Sequence, residues 1–212
     1  MLRFSDMSVG ELLNALASPD PTPGGGTASA IAGAMGASLL IMVTGLAKSK
    51  TNTDDEKAAL KAARHALEPL RAELMRLADA DSDAFDQVMA AYRRPNASDE
   101  EKAVRSSAIQ TALRQATVVP LETLRACAAV MPLASQVAEA GNRSAASDVG
   151  VAVGLLEAAA AGADANVRIN LDGLKDDGFN ANVSSEASRL SAETASAARA
   201  ARQALMACPL DA

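Results

Sequence analysis

The sequence predicts an all-α fold, a single-domain helical bundle over residues 1–212 with a long, buried Ala/Gly-rich helix near its start. Three observations predict it. Of the 212 residues 49% are hydrophobic, yet only 2% are aromatic and none is Trp. Strands favour β-branched and aromatic side chains, whereas alanine is the best helix former. Three capping boxes mark helix starts: Ser8 with Glu11, Thr53 with Glu56 and Ser98 with Glu101. Between 60 and 91, Leu60, Leu67, Leu70, Leu74, Leu77 and Phe85 recur near one helical face, with Arg, Glu and Asp elsewhere. That stripe is the mark of a helix bundle.

Taken in order, the signals place helices over roughly 8–18, 27–47, 53–91, 98–117, 121–140, 148–162 and 183–207. Pro69 should kink the third, and Pro95 and Pro120 sit at breaks. Gly141-Asn142 suits a helix C-terminus in the left-handed conformation. Strict two-residue alternation occurs only in "NVRIN", 166–170, which is short. No fixed-period repeat and no linker divides the chain.

Residues 21–47 carry no charge until Lys48, a length that would also suit a membrane span. The first half of this stretch is nearly all Ala, Gly, Ser and Thr, which supply little transfer energy into lipid. Ala28, Ala32 and Gly36 recur every four residues, as do Ser29, Gly33 and Ala37. Small residues at that spacing let helices approach closely. A buried central helix is therefore expected, and no membrane partner.

The net charge of -6 and pI near 4.9 leave no basic surplus to neutralise phosphates, so no nucleic-acid partner is expected. Cys127 and Cys208 form neither a disulfide framework nor a metal quartet. Free thiols in a reducing cytoplasm are the expectation. The start "MLRFSDMSVGELL" lacks the order of a signal peptide.

Four stretches could carry chemistry. "PGGGTAS" holds Gly24, Gly25 and Gly26 directly before a helix. Three glycines let a ligand approach the first N–H groups, or simply make a tight turn. Neither a Walker loop nor a dinucleotide fingerprint is present. "DADSDAFD" sets Asp79, Asp83 and Asp86 on one face, a solvated acidic face at its plainest. Asp81 points about 160° away from Asp79, toward the apolar side. An acid facing a core needs a partner or a task, because a bare buried charge is expensive. In "AGNRSAASDVGVA", Ser147 would cap a helix beginning at Asp148. That accounts for Ser147 but only in part for Asp148, and a ligand role stays open. Lys48 and Lys50 follow the apolar helix, where they would complement its dipole or hold a carboxylate. Arg93, Arg94, Lys102 and Arg105 read as a surface cluster, with Arg105 the best placed for a ligand. His65, the only histidine, lies on a charged face and reads as a surface residue.

Together, "PTPGGGTASAIAGAMGASLLIMV", "DADSDAF", "SDEEKAVRSSAIQTALRQATVVPL", "GNRSAASDVGVA" and "NVRINL" followed by "DDGF" resemble the cyclodeaminase/cyclohydrolase family in order and spacing. That family includes the C-terminal domain of formiminotransferase-cyclodeaminase and stand-alone methenyltetrahydrofolate cyclohydrolases. The resemblance runs from about Ser8 to Arg199. It implies a cyclodeaminase-like all-helical fold, a cytoplasmic homodimer, a tetrahydrofolate derivative as substrate, and no metal or redox cofactor. The implied reaction is interconversion of 5,10-methenyl- and 10-formyltetrahydrofolate. The alternatives are formiminotetrahydrofolate cyclodeamination with release of ammonia, and a non-catalytic folate-binding module.

On this resemblance Asp81 is the base or cation stabiliser, and Asp148 its partner or a pterin-binding group. Gly24, Gly25 and Gly26 let the pterin approach. Asn142 and Asn170 meet the pterin edge, and Lys50 and Arg105 are further substrate-binding candidates, Lys50 for the glutamate tail. The chain departs from the family at Thr51, Asn52 and Thr53, where further basic and aromatic residues are usual. It departs again at Arg94-Pro95-Asn96, where Leu-Pro-Lys is common.

Overall fold

The computed structural model describes residues 3–46 and 52–207. Six α-helices follow in chain order: α1 (Val9–Ala17), α2 (Gly25–Gly45), α3 (Asp54–Tyr92), α4 (Asp99–Ala140), α5 (Ala146–Leu171) and α6 (Asp177–Ala207). Two short 3-10 turns, Phe4–Asp6 and Arg143–Ala145, complete the described secondary structure, which contains no strand. All three expected capping boxes form, at Ser8, Thr53 and Ser98.

The bundle is assembled on α2. It packs against α3 on one side and α5 on the other, while α3 pairs with α4, and α4 and α5 both contact α6. The expected small-residue spacing is what permits this. A Cβ on Gly36 would lie 2.9 Å from the Ala152 carbonyl oxygen and 2.9 Å from Leu156 on α5. A Cβ on Gly33 would lie 3.1 Å from Leu74 and 3.2 Å from Cys127. Across the same contact, Gly162 of α5 receives the Ser29 hydroxyl. Gly36 therefore stands level with Ala152–Leu156 and Ser29 with Gly162, so α2 and α5 run antiparallel. Leu40, Leu67, Leu74, Leu124, Met131 and Leu156 are fully buried around this contact.

By length and hydropathy alone, three helical stretches are apolar enough to cross a membrane: 25–45, 99–140 and 143–171. Most of the apolar window of the first two is covered by neighbouring helices, 56% and 61%, but only 39% of the third. α1 differs from the rest, since it has no buried residue and leaves Val9 and Leu13 on the surface.

Several boundaries differ from those the sequence suggests. α4 runs unbroken through Pro120 and Pro132. Pro120 has no N–H to give to the Ala116 carbonyl four residues earlier. Asn170 of α5 replaces it, donating its Nδ2 to the Ala116 oxygen at 2.7 Å. A tertiary hydrogen bond thus lets the helix pass its own proline. "NVRIN" is not extended but lies in the last two turns of α5, with Val167 buried. α6 begins at Asp177, six residues before its apolar pattern, because Asp176 accepts from the Phe179 N–H at 2.9 Å. α5 begins at Ala146 without a side-chain cap; the cap lies upstream, where Asn142 accepts from the Ser144 N–H. Gly141 is not left-handed, with φ -73. It is required because a Cβ there would meet the Val137 carbonyl oxygen at 2.4 Å and Val43 at 2.9 Å.

Within a helix, glycine normally costs roughly 0.5–1 kcal/mol relative to alanine. Gly10→Ala, where nothing lies within 4 Å of the added Cβ, should raise thermal stability by about that amount. Gly36→Ala should reverse the sign and destabilise by about 1–3 kcal/mol, the usual result of overpacking. Paired thermal melts of the two variants check this.

Candidate active site

The glycine run places the start of α2 against a carboxylate. Gly24 is the N-cap, with extended backbone and no side chain to cap the helix. The first N–H groups of a helix have no intrahelical partner. Asp81 supplies one. Its carboxylate accepts from the Thr27 backbone N–H and, at 3.0 Å, from the Thr27 hydroxyl. The carboxylate lies so close over Gly26 that a Cβ there would sit 2.2 Å from Oδ1. Only glycine admits it. Thr27 is fully buried, and its hydroxyl also lies 3.2 Å from the Ser82 hydroxyl.

Asp81 is thus the inward-facing acid expected from the helical wheel. Burial pushes its carboxyl above the usual aspartate range, and the two hydrogen bonds from Thr27 only partly oppose that shift. Among the described residues no ion pair involves it. A desolvated carboxylate at a helix start, with no cation of its own, is suited to a cationic ligand or to taking a proton. Its neighbours on α3 behave otherwise. Asp79 is half-buried and accepts from the Phe4 N–H at 2.9 Å, while Asp83 and Asp86 face solvent.

The far wall of this site comes from α5. Asn166 reaches the opposite flank of the glycine run, 3.8 Å from where a Gly25 Cβ would stand, and donates its Nδ2 to the Gly162 carbonyl at 2.8 Å. Asn166 and Thr27 both lie in quoted motifs, but neither stands out in the sequence. Thr27 reads there as one more small residue of the helix. Asn166 becomes visible only once "NVRIN" is known to be helical. Asn170, expected at a pterin edge, lies one turn beyond Asn166, and its amide N–H is engaged by Ala116 beside Pro120.

The other expected residues lie elsewhere in the chain. Asp148 is in the first turn of α5, half-buried, with no hydrogen bond or ion pair among the described residues. Eighteen residues of α5 separate it from Asn166, which is ~27 Å at the helical rise. The expected pairing of Asp148 with Asp81 therefore does not occur within one chain: antiparallel packing puts them at opposite ends of the α2–α5 pair. Asn142 is at the Asp148 end. Arg105 sits near the tip of the α3–α4 hairpin. It donates to the Tyr92 carbonyl through Nε at 3.1 Å and Nη2 at 2.9 Å, and its guanidinium lies over the Tyr92 ring. That is a hairpin clasp, ~17 Å along α3 from Asp81. Lys48, Lys50 and Thr51 lie outside the described residues, as does Cys208. His65 is exposed, and Cys127 is a buried free thiol pushed up to about 12 by desolvation, unsuited to nucleophilic work. No cluster of three or more His, Cys, Asp or Glu able to hold a metal occurs among the described residues.

Known proteins share this arrangement of helices and motifs. The family model described as formiminotransferase-cyclodeaminase matches residues 8–189. A methenyltetrahydrofolate cyclohydrolase of Methylorubrum extorquens is 47% identical over 167 residues, spanning 79% of this chain and 80% of that protein. The formimidoyltransferase-cyclodeaminase of Rattus norvegicus is 33% identical over 174 residues, but this chain spans only 32% of its length. A crystal structure of formiminotetrahydrofolate cyclodeaminase from Thermotoga maritima superposes with a TM-score of 0.85 at 30% identity, covering 96% of this chain and 98% of that one. Because the model covers most of the helical bundle, and whole-chain and structural similarity agree with it, this chain belongs to the formiminotransferase-cyclodeaminase family.

Proposed function

We propose that this chain is a methenyltetrahydrofolate cyclohydrolase, converting 5,10-methenyltetrahydrofolate and water to 10-formyltetrahydrofolate and a proton. The observation that carries this reading is the Asp81 carboxylate, desolvated, paired with no cation among the described residues, and held across the bare start of α2. The Methylorubrum enzyme supports the choice of substrate.

The chemistry follows from charge. The methenyl carbon belongs to a cationic amidinium between N5 and N10. A nearby carboxylate stabilises that cation and accepts a proton as water adds to the carbon. The product of addition is a neutral carbinol carbon bonded to both nitrogens. Asp81 then returns its proton to N5 as the C–N5 bond breaks, and the carbinol O–H proton leaves to solvent, giving the 10-formyl group. The glycine run gives a flat ring system access to the N–H groups of Gly25 and Gly26. Thr27 and Ser82 orient the carboxylate from behind. These are acid–base steps, and the reading includes no metal or redox cofactor. A folate partner, a cytoplasmic location and a homodimer complete it. Met35 at 54% and Val151 at 55% exposure, on the paired helices α2 and α5, support the homodimer.

The likeness to the Thermotoga cyclodeaminase favours a second reading, ring closure of the 5-formimino form with loss of ammonia. Two assays on purified protein separate them: decay of the methenyl absorbance, and ammonia release from the formimino substrate. Acceleration of the first above the uncatalysed rate is expected. If neither exceeds it while a folate analogue still binds, the chain is a non-catalytic binding module.

Asp81→Asn keeps the shape and the Thr27 contacts but cannot take a proton. It should lower kcat by about 10²- to 10⁴-fold, the range for loss of a positioned acid–base group. An unchanged kcat would remove Asp81 from the mechanism.

The raised pKa of Asp81 fixes two pH dependences. The acidic limb of kcat/KM should lie above the ordinary aspartate value of about 3.9 and vanish in the Asn variant. For stability, the folded state holds this proton more tightly than the unfolded chain does. Stability therefore falls as pH rises from the unfolded value through the raised folded one, and ionised Asp81 opposes folding above that window. Asp81→Asn should melt higher than the parent at neutral pH, with the gap closing as pH is lowered through the window.

A further inference from the structure

The buried hydroxyls of this bundle are of two kinds. Ser29, Thr117, Thr123 and Thr194 each donate to the carbonyl four residues earlier in their own helix. That is the ordinary local bond of a helical Ser or Thr. Thr27 and Ser82 bond between helices instead, although they are 0% and 2% exposed. Their hydroxyls lie 3.2 Å apart across the α2–α3 contact, and the Thr27 hydroxyl lies 3.0 Å from Asp81 Oδ2. Asp81, Thr27 and Ser82 thus form a file of three oxygen-bearing side chains.

The file ends in a second opening. Ser82 is part of the wall of a cavity of about 310 Å³ that also takes in Arg3, Arg76, Asp79 and Asp83. Arg3, Arg76 and Asp83 are exposed, so this cavity meets solvent. Asp79 on its wall points about 160° away from Asp81 around α3. The cavity and the glycine run therefore lie on different sides of α3. A polar space of this size, with several partners on its wall, admits water.

We propose that Thr27 and Ser82 relay protons between Asp81 and the water of this cavity, an exit at the rear of the site. The proposal rests on the cyclohydrolase reading, in which each turnover releases one proton. Once Asp81 has protonated N5 it is ionised again, and it takes the carbinol O–H proton as the formyl C=O forms. Held on Asp81, that proton favours the reverse step, because ring closure with loss of water consumes it. The product still covers the front of the carboxylate, so the proton leaves from behind. Asp81 passes it to Thr27 Oγ1, the Thr27 O–H proton passes to Ser82 Oγ, and the Ser82 O–H proton passes to a cavity water. Three O–H bonds break and three form, and water is the only other reactant. Asp79, Asp83 and bulk solvent receive the proton from there.

The file works in both protonation states. A hydroxyl both donates and accepts, which a relay requires and an ammonium or guanidinium cannot supply. When Asp81 is ionised, the Thr27 O–H points at Oδ2, and the Ser82 O–H donates to Thr27 Oγ1. When Asp81 is protonated, its O–H donates to Thr27, the Thr27 proton turns to Ser82, and the Ser82 proton turns to the cavity. Each donor has an acceptor either way. The competing acceptor for Thr27 is the Ala78 carbonyl, which at 3.4 Å is farther than Asp81 or Ser82.

Ser82→Ala cuts the relay without touching Asp81, and stopped-flow decay of the methenyl absorbance reads the result. The first turnover should stay close to the wild-type rate, because the front of the site is intact. Later turnovers should slow by about 10-fold or more, short of the loss expected for Asp81 itself. Imidazole, a small proton carrier, should restore them at constant pH and ionic strength, while the wild type stays indifferent to it. Thr27→Val, which keeps the backbone N–H to Asp81, should show the same imidazole dependence. A first turnover slowed as much as the later ones, variants indifferent to imidazole, or wild-type kinetics in both would each overturn the relay and leave the two hydroxyls as props for the carboxylate. A second arm needs no turnover. Neutron diffraction from deuterium-exchanged crystals, above and below the pH at which Asp81 titrates, should show the Thr27 deuteron turning from Asp81 to Ser82. A deuteron on the Ala78 carbonyl in both states would overturn the relay. A deuteron that turns in a protein inert toward the methenyl substrate would keep the relay and discard the cyclohydrolase reading.

Discussion

The close approach of α2 to both α3 and α5 is the constraint on which the rest depends. Helix axes come this near only where one side presents hydrogen or methyl groups, and α2 does so at Gly33, Gly36, Ala37 and Ala30. Each glycine gives up some helix propensity, and burial of Leu40, Leu74, Leu124 and Leu156 around the contact outweighs it. The same closeness sets the active-site geometry. Because α2 begins within reach of α3, a short aspartate side chain can lie on Gly26 and meet the Thr27 N–H in the first turn of the helix. A longer separation would leave that N–H to water and Asp81 to bulk solvent.

Asp81 illustrates how a stability cost is placed where function uses it. The carboxylate is desolvated, which raises its pKa and opposes folding at neutral pH. No arginine or lysine among the described residues neutralises it, although the chain forms many such pairs elsewhere. Arg125 meets Glu186 and Arg202 meets Glu157 across neighbouring helices, at partly exposed positions. Cations are thus available to this fold, and among the described residues none is paired with the desolvated carboxylate of Asp81. A cationic amidinium is a natural counter-charge for it.

Proline and asparagine show a second economy. Pro120 would ordinarily end α4, yet Asn170 takes up the carbonyl it leaves free. The asparagine therefore reads as a site residue in the sequence and serves as a helix repair in the structure. Arg105 has the same history, since its guanidinium closes the α3–α4 hairpin on the Tyr92 carbonyl. Polar side chains in motif-rich stretches include both ligands and braces, and only their hydrogen-bond partners tell them apart.

Much of the fold was legible without coordinates. Capping boxes, apolar periodicity and the scarcity of aromatics act locally, so the helix starts at Ser8, Thr53 and Ser98, the Leu60–Leu77 stripe and the inward turn of Asp81 follow from the sequence by itself. The small-residue spacing of α2 likewise announces close packing. What the tertiary structure decided is whatever depends on a partner distant in the chain: the continuity of α4 past Pro120, the helical state of "NVRIN", the need for glycine at 141 without a left-handed backbone, and the separation of Asp148 from Asp81. Local propensity is fixed by neighbours a turn away, but a hydrogen bond or a steric contact between residues fifty positions apart exists only once the helices have been set side by side.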